Sequence, residues 1–159
     1  MAPIVIRNAK AEEAAALSAI CVRSKSHWGY GEDFMRRCKD ALTVDPGCIE
    51  AGHVLAAELD GELVGIAAIG PDDDGFEIDQ FFIDPEAMGM GVGKRLFTAL
   101  LALAGEHKIA RLTILSDPNA VAFYLKMGAR EIGRAPSDAI PGRTLPLLEI
   151  DVPPSKASN

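Results

Sequence analysis

The sequence has few of the residues that link small folds through covalent bonds or metal ions. Its three cysteines form an odd set without a C-x-x-C pair, and its three histidines are isolated from one another. Such a pattern is typical of free thiols in a reducing compartment, and a zinc site would need close Cys or His pairs. We therefore expect no metal site and a cytoplasmic protein. The cysteines are Cys21, Cys38 and Cys48.

The sequence also lacks a long apolar segment. The longest one, residues 96–104, is interrupted by Thr98 and is far shorter than the ~20 residues of a membrane span. The first ten residues, MAPIVIRNAK, contain no signal-peptide core. We expect a protein that is not bound to a membrane.

Positive charge is missing from the middle of the chain. Overall, 16 Lys and Arg stand against 23 Asp and Glu, a formal charge of -7. Residues 45–86 contain twelve acids and no Lys or Arg, whereas residues 1–44 hold seven bases and five acids and residues 87–159 hold nine bases and six acids. Non-specific binding to nucleic acid needs clustered cations. We therefore expect no nucleic-acid partner.

The residues that are present fit one folded domain. The chain has 159 residues, of which 48% are hydrophobic and 25% charged, which is typical of a single globular domain. We predict one domain over residues 1–152 and a flexible tail over residues 153–159.

Apolar periodicity predicts the element order βααβββαβαββ. Three successive strands joined by short turns, one of them the type I′ turn Asp60-Gly61, must be antiparallel. A strand, a helix and a strand over residues 76–115 form a crossover that is parallel and right-handed. The predicted fold class is α+β (mixed α/β), a mixed and mostly antiparallel sheet flanked by helices. Strands are predicted over residues 4–7, 53–59, 63–69, 76–83, 111–115, 129–134 and 145–152, and helices over residues 10–22, 33–42, 91–106 and 118–126.

The chemical signal lies in the segment FFIDPEAMGMGVGKRLF. Three alternating glycines lead from a strand into a helix, where free amides and the helix dipole favour an anion. A Walker A loop fails because Met88 and Arg95 stand where Gly and Ser or Thr are needed. A dinucleotide fingerprint fails because the spacing is G-x-G-x-G. A helix entry without a ligand remains as the alternative.

Two segments together resemble the GCN5-related N-acetyltransferase (GNAT) superfamily. The pattern [QR]-x-x-G-x-[GA] after I-D-P is matched by residues 83–93, although Met88 replaces the usual Arg or Gln. Residues 119–129 resemble the pattern N-x-x-A-x-x-F-Y-x-x-x-G-F, although they lack its two positions between Ala and Phe and carry Ala129 in place of the last aromatic residue. Both lie in register with the predicted elements, so the resemblance covers nearly the whole chain.

The resemblance implies acetyl-CoA as co-substrate. Its pantetheine arm is expected to pair with the backbone of Phe82 and Ile83 and to reach Asn119, while its pyrophosphate meets the amides of the glycine segment beside Lys94. The implied cofactor-binding residues are Phe82, Ile83, Met88, Gly89, Met90, Gly91, Val92, Gly93, Lys94 and Asn119.

The resemblance also implies catalytic positions. Tyr124 stands where the family has the general acid that protonates the departing thiolate, although it could be a core aromatic residue whose hydroxyl merely finds a partner. Glu77 and Asp79, two residues apart on one strand, share a face. Either can serve as the base, directly or through water, and the alternative is that both are solvated acids.

The acceptor is expected at the segment that follows the first helix, where His27, Trp28 and Tyr30 form one wall and residues 135–143 the other. Alternatively, Trp28 fills the core. Because the acidic block borders this region, we expect an acceptor that is positively charged before it reacts.

These features predict an N-acetyltransferase that moves the acetyl group of acetyl-CoA to a primary amine by direct attack in a ternary complex. No cysteine has the His support that an acyl-Cys intermediate needs. A non-catalytic acyl-CoA-binding or sensor module on the same fold is the alternative, and a purely structural subunit would leave the glycines unexplained. Relatives often form dimers, so a homodimer remains open.

Overall fold

A computed structural model describes residues 3–155, so residues 156–159 of the predicted flexible tail lie outside the described part. The chain forms seven strands and five α-helices in this part. The strands are β1 (Ile4–Asn8), β2 (Val54–Leu59), β3 (Glu62–Pro71), β4 (Phe76–Ile83), β5 (Arg111–Leu115), β6 (Arg130–Pro136) and β7 (Thr144–Asp151). The helices are α1 (Ala14–Ser26), α2 (Glu32–Arg37), α3 (Pro46–Glu50), α4 (Val92–Glu106) and α5 (Val121–Lys126), and short 3-10 turns occupy Ala11–Glu13, Pro85–Ala87 and Pro118–Ala120.

The strands form one sheet in the order β1-β2-β3-β4-β5-β7-β6. The pair β4–β5 is parallel and every other described pair is antiparallel. Helices α1 to α3 cover one face and helices α4 and α5 cover the other, each over its own apolar cluster. The predicted mixed sheet is confirmed, as is the tight turn, in which Asp60 and Gly61 have φ values of 55° and 81°.

The main differences from the predicted elements lie between α1 and β2. The short helix α3 was not predicted, although Asp45 caps it by accepting from the amide of Gly47 at 2.9 Å. Helix α2 ends at Arg37 instead of residue 42. The carbonyls of Ala41 and Thr43 accept from the side chain of Gln80 on β4, each at 3.1 Å. Contacts with the sheet therefore fix this segment as turns.

Strand β4 is fully paired with one neighbouring strand and only partly paired with the other. Towards β3, β4 is paired along its whole length, from Phe76 to Ile83, with a bulge at Asp79. Towards β5 it is paired only at Phe76 and Glu77. Beyond Glu77 the two strands separate, and a gap opens in the sheet towards the carboxyl end of β4.

Candidate active site

The backbone of β4 faces the gap at alternate residues. The amide of Asp84 donates to the carbonyl of Val64 on β3 at 2.7 Å. Successive residues of a strand direct their N–H and C=O groups to opposite sides, so Ile83 and Phe81 face the gap and Phe82 faces β3. Of the two residues expected to pair with the pantetheine arm, Ile83 therefore faces the gap and Phe82 faces β3, while Phe81 also faces the gap. The sequence missed this because the register of β4 on β3 decides which residues face the gap.

A glycine loop, residues 88–93, connects the carboxyl end of β4 with α4. Gly89 and Gly91 have φ values of 81° and 86°, and a Cβ on either would meet no atom within 4 Å. The conformation, rather than crowding, therefore requires glycine there. The first bond of α4 runs from the amide of Arg95 to the carbonyl of Gly91 at 3.3 Å, so the three amides between these residues lack a carbonyl partner in the helix.

The other predicted members of the loop have separate roles. Within residues 3–155, the amides of Gly89 and Met90 also lack an acceptor, whereas the amide of Met88 donates to the carbonyl of Pro85 at 3.3 Å. Gly93 packs so closely that a Cβ would lie 3.3 Å from the ring of Phe123. Met90 and Lys94 are exposed and Val92 is buried. The loop thus presents free amides and a lysine at the mouth of the gap, which suits an anion.

An ion pair fixes the start of this loop. The carboxylate of Asp84 accepts from Nε and Nη2 of Arg23 on α1, at 3.0 and 2.7 Å, and from the amide of Glu86 at 3.1 Å. Asp84 is buried, and these donors satisfy its charge. Sequence reasoning missed Arg23, which lies 61 positions away.

Tyr124 lies in an aromatic cluster beside the gap, its ring centroid within 5.5–6.1 Å of those of Phe81, Phe97 and Phe123. The residue is 6% exposed, its hydroxyl makes no hydrogen bond within residues 3–155, and no buried polar side-chain atom there lacks a partner. The hydroxyl oxygen therefore reaches the molecular surface. Burial and the charge of Asp117 raise the pKa of Tyr124, so it keeps its proton at neutral pH.

The two predicted acids lie where β4 and β5 separate. Glu77 is the last residue of β4 that pairs with β5, and Asp79 lies against Gly70, the partner of Glu77 on β3. The two carboxylates therefore share a face, as predicted. Burial, followed by the charges of Asp79, Asp72 and Asp138, raises the pKa of Glu77 to about 7. Burial and the charge of Asp138 also raise the pKa of Asp79.

The residues His27, Trp28 and Tyr30, which follow α1, differ in their exposure to solvent. His27 and Trp28 are exposed, with ring centroids 5.1 Å apart. Trp28 is 47% exposed, so the alternative in which it fills the core is wrong. Tyr30 is half-buried and stacks on Phe34 with centroids 4.1 Å apart.

Tyr30 belongs to a polar group that we call the Asp117 cluster, formed by Lys25, Tyr30, Asp117, Asn119 and Arg143. The carboxylate of Asp117 accepts from the ammonium of Lys25, from the hydroxyl of Tyr30 at 2.9 Å, and from the backbone and side-chain amides of Asn119 at 2.8 and 2.9 Å. Burial acts to raise the pKa of Asp117, but the bonds from Lys25 and Asn119 outweigh it and the pKa is lowered.

The Asp117 cluster joins three distant segments. It brings together the end of α1, the turn after β5 that carries the predicted Asn119, and the loop between β6 and β7 that carries Arg143. Sequence reasoning missed Lys25, because 92 positions separate it from Asp117 and no local pattern connects the two. It included Arg143 only as the last residue of the segment expected to form the second wall of the acceptor site. The local signal for Asp117 was its place as a cap before Pro118.

The described thiols are poorly suited to nucleophilic chemistry. Burial raises the pKa of Cys21 to about 12, and it also raises the pKa values of Cys38 and Cys48, which keeps the thiolates rare. Within residues 3–155, no group of three or more His, Cys, Asp or Glu side chains is placed to hold a metal ion. None of the helices described is long and apolar enough to cross a membrane.

The sequence is related to known acetyltransferases. Residues 14–129 match the model of the Acetyltransferase (GNAT) family. Peptidyl-lysine N-acetyltransferase YjaB of Escherichia coli (strain K12) is 31% identical over 151 residues, which are 92% of this chain and 95% of that protein. The protein of the same name in Salmonella typhimurium is 38% identical over 81 residues; the match covers 50% of this chain and about half, 52%, of that relative's length.

Solved structures share the whole fold. A protein from Rhodopseudomonas palustris described as a "GCN5-Related N-acetyltransferase: Aminotransferase, Class-II" has a TM-score of 0.76 at 28% identity, covering 95% of this chain and 97% of that one. The PaiA N-acetyltransferase of Thermoplasma acidophilum, solved in complex with coenzyme A, has a TM-score of 0.74 at 17% identity, covering 94% of this chain and 99% of that one. At this identity the comparison shows that the two proteins share a fold and nothing more. The chain belongs to the acetyltransferase (GNAT) family, whose members are acyl-CoA-dependent N-acyltransferases.

Proposed function

We propose that this chain transfers the acetyl group of acetyl-CoA to a primary amine by direct attack within a ternary complex. The observation that carries the proposal is the gap between β4 and β5, which has free amides at its mouth and Glu77 where the strands separate. Neither feature serves the sheet, because the gap removes strand pairing and Glu77 places a carboxylate among other acids.

The cofactor side follows from the backbone. Phe81 and Ile83 offer a strand edge to the two amides of the pantetheine arm, which then lies in the gap as an added strand. The amides of the glycine loop and the nearby Lys94 and Arg95 suit the pyrophosphate. Met88 offers no polar group where relatives have Arg or Gln, so the backbone carries most of this interaction.

The proton chemistry is divided between a carboxylate and a phenol. An amine attacks only when it is neutral, so a base with a pKa near the working pH is efficient. Glu77, with a pKa of about 7, fits that role better than Asp79, which acts by raising the pKa of Glu77. Tyr124 keeps its proton and has a free hydroxyl, so it can protonate the thiolate of coenzyme A as the thioester carbon–sulfur bond breaks.

The acceptor that we favour is a lysine side chain in a peptide or protein. The acids around Glu77 attract a cation, and the exposed His27 and Trp28 can contact the chain that carries the lysine. The relatives YjaB are named as peptidyl-lysine N-acetyltransferases. A homodimer is compatible with this proposal and is not required by it.

Release of free thiol from acetyl-CoA in the presence of lysine peptides, amino acids, polyamines and aminoglycosides tests this proposal. We expect turnover with lysine peptides, and a loss of kcat of about 100-fold in Tyr124→Phe with unchanged calorimetric affinity for acetyl-CoA. Saturable binding of acetyl-CoA without turnover of any amine would favour the non-catalytic sensor. No binding below millimolar acetyl-CoA would exclude both functions, and full turnover by Tyr124→Phe would remove the general-acid role.

A further inference from the structure

The Asp117 cluster contains one more positive charge than negative. Lys25 is nearly buried, with 12% of its side chain exposed, and its charge is matched by the ion pair with Asp117. Arg143 is half-buried and forms no ion pair within residues 3–155. The uncompensated charge of the cluster is therefore the guanidinium of Arg143.

Contacts with aromatic rings hold this guanidinium in place. The guanidinium carbon Cζ of Arg143 lies 4.9 Å from the ring centroid of Phe34 and 5.6 Å from that of Tyr30. Nη2 of Arg143 donates to the hydroxyl of Tyr30 at 3.3 Å. The hydroxyl in turn donates to Asp117. Stacking fixes the plane of an arginine and leaves its remaining N–H groups free. A planar fork of N–H groups held in this way matches the geometry of a carboxylate.

The loop between β6 and β7 places opposite charges at two ends of the same region. Asp138 lies close enough to Glu77 and Asp79 to raise the pKa of both. Arg143, five positions later on the same loop, lies at Tyr30, one of the residues predicted to line the acceptor site. An acceptor that spans the two ends of this loop would present its amine to the acids and an anionic group to Arg143.

We propose that Arg143 is a specificity-determining residue that binds a carboxylate of the acceptor, so that the preferred acceptor carries a carboxylate close to the reacting amine. The preferred peptide is then a lysine peptide with an acidic side chain near the lysine. This inference rests on the proposed function, and it goes further because an acidic cleft alone favours any cation. Polyamines, which carry no carboxylate, become poor acceptors.

Pairs of lysine peptides that differ only by Glu or Gln test the inference, with the changed residue placed in turn at each of three positions on either side of the lysine. At one position or more, we expect a KM about 5- to 20-fold lower for the Glu peptide at similar kcat. In Arg143→Gln the ratio falls to about 1, whereas Arg143→Lys keeps part of it because lysine is a point charge.

Arg134→Gln is the matched control. Arg134 lies on the same β6–β7 hairpin but bonds only to Thr144 in the described structure, so its replacement keeps the full ratio. A purely structural role for Arg143 would raise the KM of both peptides equally and lower the melting temperature. Equal KM values for Glu and Gln peptides in the wild type, or an unchanged ratio in Arg143→Gln, would overturn the inference.

A second measurement separates this inference from the proposed function. If no peptide is acetylated, the peptide acceptor is wrong, and binding then decides the role of Arg143. The emission of Trp28, the single tryptophan, is followed while lysine or lysinamide is added to the coenzyme A complex. We expect tighter binding of lysine, lost in Arg143→Gln; equal binding of the two ligands would contradict the inference.

Discussion

The two edges of β4 show how one strand can serve the fold and the chemistry at the same time. The edge towards β3 is paired from Phe76 to Ile83, and it holds the sheet together. The edge towards β5 is paired at two residues, and its free backbone groups face the gap. A change on the first edge is therefore expected to alter stability, and a change on the second to alter kinetics.

The largest effect is expected at Glu77, where the open edge begins. Glu77→Gln removes the base, and we expect kcat to fall by about 100- to 1000-fold. The wild-type rate should rise as pH increases through about 7, where the carboxyl of Glu77 loses its proton. This rising limb of the pH–rate profile should disappear in the variant. Rates at several pH values with saturating acetyl-CoA measure both effects.

Asp79→Asn is the sharper comparison for Glu77. The charge of Asp79 raises the pKa of Glu77, so its removal should move the limb to lower pH while most of the activity remains. A limb that stays in Glu77→Gln, or that vanishes only in Asp79→Asn, would assign the base to Asp79 instead.

A smaller effect is expected in the glycine loop at the mouth of the gap. Gly91→Ala places a side chain at a φ of 86°, which costs about 1–2 kcal/mol unless the loop shifts. A shift moves the amides, so we expect the KM for acetyl-CoA to rise about 10-fold. Titrations of initial rate against acetyl-CoA measure this change.

Gly61→Ala is the matched control for Gly91→Ala. Gly61 has a φ of 81° with no atom within 4 Å of an added Cβ, but it lies in the turn between β2 and β3. It should lose a similar stability and keep the wild-type KM. An equal rise of KM in both variants would mean that the loss of stability, rather than the loop, alters cofactor binding.

The smallest kinetic effect is expected on the closed edge. A Cβ at Gly65 on β3 would lie 3.1 Å from Cδ1 of Ile83 and 3.3 Å from Cδ2 of Leu96. Gly65→Ala should therefore overpack the core and lower the free energy of unfolding by about 1–3 kcal/mol, with kcat and KM within about twofold of wild type. Urea unfolding measures the free energy of unfolding, and initial rates measure kcat and KM. A large change of KM with unchanged stability would contradict the different roles assigned to the two edges.

The parts of the structure that the sequence predicted depend on local physics. The type I′ turn at Asp60-Gly61 requires positive φ angles, and both residues have them. The alternating glycines marked the passage from β4 into α4, where Gly89 and Gly91 have positive φ angles and Gly93 lies in the helix. The end of β4 at Ile83 was predicted because Asp84 and Pro85 interrupt the strand. The family resemblance then connected these local features to a cofactor.

The parts that the sequence could not predict depend on partners far along the chain. Phe81 faces the gap instead of Phe82 because the register of β4 is fixed by β3. Lys25 and Arg143 belong to the candidate site only because three segments that are distant in the sequence meet at the Asp117 cluster. Glu77 was predicted as a candidate base, but its preference over Asp79 comes from burial and surrounding charge, which spacing does not reveal.

The narrow seam between β4 and β5 also bears on the order of folding. Strands β2, β3 and β4 are joined by short turns on one side of the seam, and β6 and β7 form a hairpin on the other, whereas β1 and β5 pair with strands that are distant along the chain. Neighbouring segments pair faster than distant ones, so the local pairs on each side can form before α4 brings β5 against β4. The gap exists only when both sides have met at this seam, so a chain that can hold a cofactor there has formed both halves of its sheet.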